Sequence, residues 1–180
     1  MTIDAGTGDS RTVLVAAAHE PATLVLGLDA NAASMAEASR RAARSPRKGG
    51  LANAAFVVAA AEAPPAELAA VAGLVTVRFP WGSLLRGVVG RDEAVAAGLA
   101  FLVADEGALE LLLAPTERDG LDGVPTSTAG LVEGAASAFE PHGFQIDRVD
   151  EPTHATIRAS GSTWARRLGR RASLIRLVRR

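Results

Sequence analysis

Cysteine and tyrosine are both absent from these 180 residues, and tryptophan and methionine occur only twice each. Without cysteine there can be no disulfide, thiolate metal site or sulfur nucleophile. The three histidines, His19, His142 and His154, lie far apart without metal-ligand spacing, so no metal site is expected. No apolar run approaches the ~18 residues of a membrane span, and no basic-then-apolar leader opens the sequence. A cytoplasmic protein with no membrane partner is expected. Acidic residues are missing from one region: none follows Glu151, whereas eight arginines do. Residues 1–151 therefore carry about −9 and the remainder +8, hidden within a net charge of −1. A second basic run, "RRAARSPRK", spans Arg40 to Lys48. Such asymmetry suits a large anionic partner, most commonly nucleic acid; the alternative is a solvated surface helix and tail.

What is present suits one domain over residues 1–180, with 48% apolar and 22% charged residues. Strand-like and helical segments alternate, which predicts an α/β sheet covered on both faces. Strands are expected at 1–5, 23–29, 54–62, 74–79 and 108–114, with 144–149 and 173–178 pairing as a terminal hairpin. Helices are expected at 11–19, 31–44, 91–104 and 126–140, plus a short one after Pro64-Pro65. The loop 115–126, rich in proline and glycine, separates the last strand–helix pair.

Three turns at strand ends carry the chemistry. "DAGTGDS", Asp4 to Ser10, places two glycines between a strand and a helix, where backbone can approach a ligand closely. Alone it is a weak motif. Asp29 ends the next strand, where an acid in doubly wound folds accepts hydrogen bonds from ribose hydroxyls. Its other reading is a turn residue. Ala61-Glu62 closes the third expected strand beside the same crevice. There is no GK[ST] sequence, and three carboxylates would repel a polyphosphate, so a neutral or cationic nucleoside is the better guest. S-adenosylmethionine, a sulfonium, fits that description.

The stretches "DAGTGD", "GLDAN", "AAAEAPP", "VTVRFPWGSLLRGVVG" and "STWARRL" occur here in order. On them the chain resembles the 16S ribosomal RNA adenine-1408 N1-methyltransferases, the aminoglycoside-resistance enzymes of the kanamycin–apramycin type. The resemblance implies a Rossmann-like seven-stranded class I methyltransferase sheet that binds S-adenosylmethionine. It implies that Asp4, Gly6 and Gly8 line the methionine side, Asp29 holds the ribose, and Ala61 and Glu62 border the adenine. Phe79, Pro80, Trp81, Gly82 and Ser83 would wall the sulfonium end, with Ser162 and Thr163 closing the far side. Trp81 and Trp164 would sandwich the target adenine; read without the resemblance, the core is the better assignment for both tryptophans.

A base cannot react at N1 inside a helix, so it must be flipped into a pocket. Pro80 and Gly82 suit a sharp turn that projects Trp81 away from the core. Adenine N1 has a free lone pair, so no general base is nominated, and the tryptophan faces favour the cationic product. Arg166, Arg167, Arg170 and Arg171 would grip RNA phosphates, with Arg44, Arg47 and Lys48 as a second contact. The expected partner is 16S rRNA folded in the 30S subunit, and the enzyme is expected to be a monomer. Members of the family carry a hairpin before the Asp4 equivalent; only Met1 to Ile3 precede it here, so an N-terminally trimmed fold is expected. The sequence leaves two alternatives open: a methyltransferase acting on a small molecule, and a degenerate, inactive RNA-binding homologue.

Overall fold

Alternation in the sequence becomes a seven-stranded mixed sheet with helices on both faces. The computed structural model describes residues 1–115, 122–153, 157 and 172–180. In chain order the elements begin with β1 (Thr2–Ala5), α1 (Arg11–His19), β2 (Val25–Asp29), α2 (Ala32–Ala42) and β3 (Ala54–Val58). The middle holds β4 (Ala72–Arg78), α3 (Gly82–Val88), α4 (Glu93–Leu102) and β5 (Val103–Leu113). The chain finishes with α5 (Thr128–Phe139), β6 (Phe144–Asp150) and β7 (Ser173–Arg179). The strand order is β3-β2-β1-β4-β5-β7-β6. β1 to β5 run parallel, and β7 is antiparallel to both β5 and β6. Connection direction reverses between β1 and β4, which opens a crevice at the carboxyl ends of those strands.

Strand alternation assigns the two faces. Ile3, Val75, Val77, Leu109, Leu111, Ile175 and Leu177 point to one face and are buried with Leu85, Leu99, Leu131 and Phe139 of α3, α4 and α5. Asp4, Thr76, Glu110 and Arg176 are register partners from strand to strand and share the other face. Over β2 and β3, that second face is covered by α1 and α2, through Val13, Leu14 and Ala38 packed near Phe56. An apolar layer therefore sits under α3 to α5, while a polar row crosses the opposite face and ends at the crevice.

Three local differences from expectation have physical causes. β3 stops at Val58 instead of reaching Glu62, because its pairing with β2 ends where β2 itself ends, at Asp29. The helix expected to reach 104 stops at Leu102, and β5 begins at once, since Val103 pairs with Ala72 ahead of a register shift. A seven-residue helix, α3, follows the Phe79-Pro80-Trp81 corner where none was expected. Its Leu85 and Val88 are buried one turn apart, too short a pattern to stand out in sequence.

Ser10, at the head of α1, is left-handed with φ 57° and makes no side-chain cap. Its hydroxyl is buried and has no hydrogen-bond partner among the described residues. A non-glycine residue in this region costs about 1–2 kcal/mol, and an orphaned buried hydroxyl adds to that. Ser10→Gly is therefore expected to stabilise the fold by about 1 kcal/mol after glycine's own entropy cost. In a thermal melt this reads as a rise of roughly 2–4 °C; an unchanged or lower midpoint would count against the strain.

Candidate active site

The carboxyl ends of β1, β2, β3 and β4 surround a cavity of about 560 Å3, a volume suited to a nucleoside-sized ligand. The turn after β1 forms its floor. Gly6 and Gly8 take φ values of 69° and 56°, a region open to glycine and strained for other residues. Gly6 N–H donates to the Leu28 carbonyl at 2.8 Å, and Gly8 N–H donates to Asp29 Oδ2 at 2.8 Å. Asp29 Oδ1 accepts from Asn31 N–H at 2.8 Å. One carboxylate at the end of β2 thus fixes the glycine turn and its own corner, while lone pairs remain for a ligand.

Asp4 differs from Asp29. It is 3% exposed, and its carboxylate takes four side-chain donors. Thr7 (2.9 Å) and Thr12 donate to Oδ2, while Thr76 (2.7 Å) and Arg78 donate to Oδ1. A carboxylate offers about four lone-pair sites, so Asp4 is saturated. Arg78 Nη1 also donates to Thr76 Oγ1. Burying this charge is tolerable only because it is fully paired and hydrogen-bonded. Thr7, Thr12, Thr76 and Arg78 were not foreseen from sequence. Their signal was the acid itself: an Asp inside a central apolar strand needs donors, and "TVR" alternates polar residues onto its face.

The far wall is the stretch after β3. Ala59 N–H donates to the Asp29 carbonyl at 3.1 Å, carrying Ala61 and Glu62 along the cavity. Behind them lies Gly98 of α4: a β-carbon there would collide with the Ala61 carbonyl oxygen. Helix α4 thereby sets how far this wall stands from the glycine turn.

The near wall is Phe79 to Leu84. Phe79 N–H donates the final sheet bond to Leu112 O at 2.8 Å, and Phe79 then turns left-handed, with φ 50°. A positive φ at an aromatic residue is a strained arrangement of the kind that gathers at ligand sites. The Phe79 side chain packs with Leu112, Ile157 and Ala172. Pro80 brings no N–H to continue the ladder, and Trp81 emerges 69% exposed at the cavity wall. The core alternative for this indole is ruled out by its exposure.

Of the residues expected at the site, Asp4, Gly6, Gly8, Asp29, Ala61, Glu62, Phe79, Pro80, Trp81 and Ser83 line the cavity. Gly82 does not line it; with φ 60° it shapes the corner. Ser162, Thr163, Trp164, Arg166, Arg167, Arg170 and Arg171 lie outside the described residues. Arg44, Arg47 and Lys48 are exposed, but α2 runs back from the cavity. Leu51 N–H donates to Ala42 O and Val25 N–H to Asn53 O, so the basic run sits at the end of the sheet where β2 and β3 begin. There Arg40 hydrogen-bonds Glu37 at 3.0 Å and holds that carboxyl below its usual pKa. Among the described residues no group of His, Asp and Glu is placed to hold a metal ion.

Among the described residues that line the cavity, the charged groups are four carboxylates, Asp4, Asp9, Asp29 and Glu62, and one cation, Arg78, which is paired with Asp4. Such a site favours a guest carrying positive charge over a polyphosphate. Comparisons with known proteins agree. A family model, NpmA, described as 16S rRNA (adenine(1408)-N(1))-methyltransferase, matches residues 1–179. A protein of that name from Escherichia coli is 32% identical over 186 residues, covering 97% of this chain and 84% of its own length. Another, from Streptoalloteichus hindustanus, is 33% identical, covering 93% of this chain and 80% of its own length. Among solved structures, a mutant 16S rRNA (adenine(1408)-N(1))-methyltransferase with cosubstrate SAM, from Catenulisporales acidiphilia, superimposes with a TM-score of 0.88. It is 34% identical and covers 99% of this chain and 84% of that one. The aminoglycoside resistance methyltransferase NpmB1 gives a TM-score of 0.82 at 37% identity, over 99% of this chain and 86% of its own.

Proposed function

The chain belongs to the 16S rRNA (adenine(1408)-N(1))-methyltransferase family, and from that premise we propose how its residues perform the reaction. The activity is methyl transfer from S-adenosylmethionine to adenine N1 of 16S rRNA, giving aminoglycoside resistance. The substrate in our reading is the rRNA folded in the 30S subunit, met by a cytoplasmic monomer. The observation that carries the reading is a mostly exposed indole, Trp81, standing on the wall of a cavity framed by Gly6, Gly8 and Asp29.

S-adenosylmethionine fits these residues and supplies an electrophilic methyl group on a sulfonium when bound. Glycines 6 and 8 admit the ligand against backbone, Asp29 accepts from ribose hydroxyls, and Ala61 and Glu62 border the adenine. Trp81 offers its face to the extruded target base, which is worth roughly 1–3 kcal/mol of stacking. Adenine N1 needs no deprotonation, so the protein's contribution is to align nitrogen with methyl carbon and to exclude water. The product adenine is cationic, and the same indole face stabilises it. We assign Trp164 to the opposite face and Arg166, Arg167, Arg170 and Arg171 to nearby phosphates. Arg44, Arg47 and Lys48 contact RNA only if it extends well beyond the target nucleotide.

Two measurements test this. Purified protein with radiolabelled S-adenosylmethionine should label 16S rRNA in 30S subunits; cofactor binding by calorimetry without any transfer would make it an inert homologue. Gly98→Ala tests the wall. Alanine favours helix by about 1 kcal/mol, yet its methyl would push Ala61 and Glu62 toward the cavity at an overpacking cost of about 1–3 kcal/mol. Cofactor affinity is expected to fall severalfold, and unchanged affinity would show that α4 does not set the wall.

A further inference from the structure

We infer that Arg78 is the residue that recognises the carboxylate of the cofactor's methionine half; this rests on the S-adenosylmethionine reading above. The methionine half carries an ammonium and a carboxylate, and the cavity gives each end of the nucleoside a different wall. Asp29 and the stretch after β3 sit at the β2–β3 side, so the methionine half lies toward β1 and β4. There the carboxylate expected to face it, Asp4, has all four acceptor positions occupied by Thr7, Thr12, Thr76 and Arg78. Asp4 is therefore no free acceptor for an ammonium in this arrangement. It is an anchor.

What it anchors is a guanidinium. Arg78 shares the Asp4 and Thr76 face of the sheet and lies just beyond the Ala5–Val77 pair, at the crevice. Only Nη1 is engaged among the described residues, on Asp4 Oδ1 and Thr76 Oγ1. Arg78 also lines a smaller pocket of about 230 Å3 with Glu110, Leu112 and Ile157, so it stands in the partition between two spaces with a side chain about one-quarter exposed. A guanidinium has five donors in a planar fork. With one arm pinned, the remaining edge is held for a planar anion, the geometry in which arginine binds carboxylates most tightly. The ion pair with Asp4 leaves the cluster near neutral, so it does not repel the sulfonium. Within "LVTVRF", the arginine's position after Thr76 places it on the polar face, whereas a one-residue shift would turn it into the apolar layer.

The test compares three ligands by calorimetry: S-adenosylmethionine, S-adenosylhomocysteine and S-adenosyl-3-methylthiopropylamine, which lacks the carboxylate. The intact protein is expected to prefer the first over the decarboxylated analogue by about tenfold or more, the scale of a charge-assisted hydrogen bond. In Arg78→Met that preference should vanish. Affinity for S-adenosylmethionine and S-adenosylhomocysteine should drop about tenfold or more, while the analogue's changes little. Arg78→Lys, which keeps the charge opposite Asp4 but not the fork, should recover only part of the loss. Equal weakening of all three ligands by Arg78→Met would assign Arg78 a purely structural role and overturn the inference. If Arg78→Met does not fold, the intact protein still decides, because equal affinity for carboxylated and decarboxylated ligands overturns it. Failure of the intact protein to bind any of the three would instead overturn the methyltransferase reading, and this inference with it.

Discussion

Trp81→Ala is expected to reduce methyl transfer to 30S subunits about 100-fold or more while leaving the melting temperature almost unchanged. The two effects separate because the indole is 69% exposed and so contributes little to the core, whose apolar layer lies under α3 to α5. Losing one stacking face removes roughly 1–3 kcal/mol of interaction with a flipped base. Misplacing the nitrogen by about 1 Å costs a further factor on the order of 100. Trp81→Phe keeps a smaller face and should restore part of the rate. Cofactor affinity is expected to fall only slightly, since in the proposed site glycines 6 and 8 and Asp29 would hold that ligand from the other side. Full activity in Trp81→Ala would remove the stacking role; a large loss of stability would mean that the residue is structural after all.

Asp29→Ala is expected to weaken S-adenosylmethionine binding about 100-fold, measured by calorimetry. Two losses combine. Hydrogen bonds to a charged acceptor are worth about 1.5–3 kcal/mol each, and a ribose offers two hydroxyls. The carboxylate also fixes Gly8 N–H at 2.8 Å and Asn31 N–H at 2.8 Å, so its removal would loosen the glycine turn proposed to cradle the ligand. Asp29 is partly exposed, and solvent reduces the ideal sum. Asp29→Asn, which retains one acceptor, should lose about tenfold. If affinity is unchanged in both variants, the ribose lies elsewhere.

The order of elements could be read from the chain because apolar periodicity and Pro/Gly punctuation agree at each of the early turns. The glycine turn, Asp29 and Ala61-Glu62 could be read because they sit at strand ends, where loops meet ligands, whereas Phe79 to Ser83 were expected at the site from the family resemblance. The partners of Asp4 could not, because they come from β4, α1 and the glycine turn. Only the Asp4–Thr76 register puts them together. α3 was hidden by its length and by the Phe79-Pro80-Trp81 corner before it, which reads as a turn; φ 50° at Phe79 has no sequence signature. Charge alone marked the basic run from Arg40 to Lys48 as a second RNA contact, and charge does not say at which end of the sheet the run lies. Helix direction, set by the parallel return to β3, carries it to the opposite end of the sheet.

The measurement closest to the central claim follows the fate of one nitrogen. Purified 30S subunits are incubated with the protein and S-adenosylmethionine, and the 16S rRNA is then read by reverse transcription and digested to nucleosides for mass spectrometry. The account predicts a strong stop at adenine 1408 and 1-methyladenosine as the new nucleoside, both lost with Trp81→Ala. Read-through accompanied by N6-methyladenosine, or 1-methyladenosine that persists undiminished in Trp81→Ala, would contradict it.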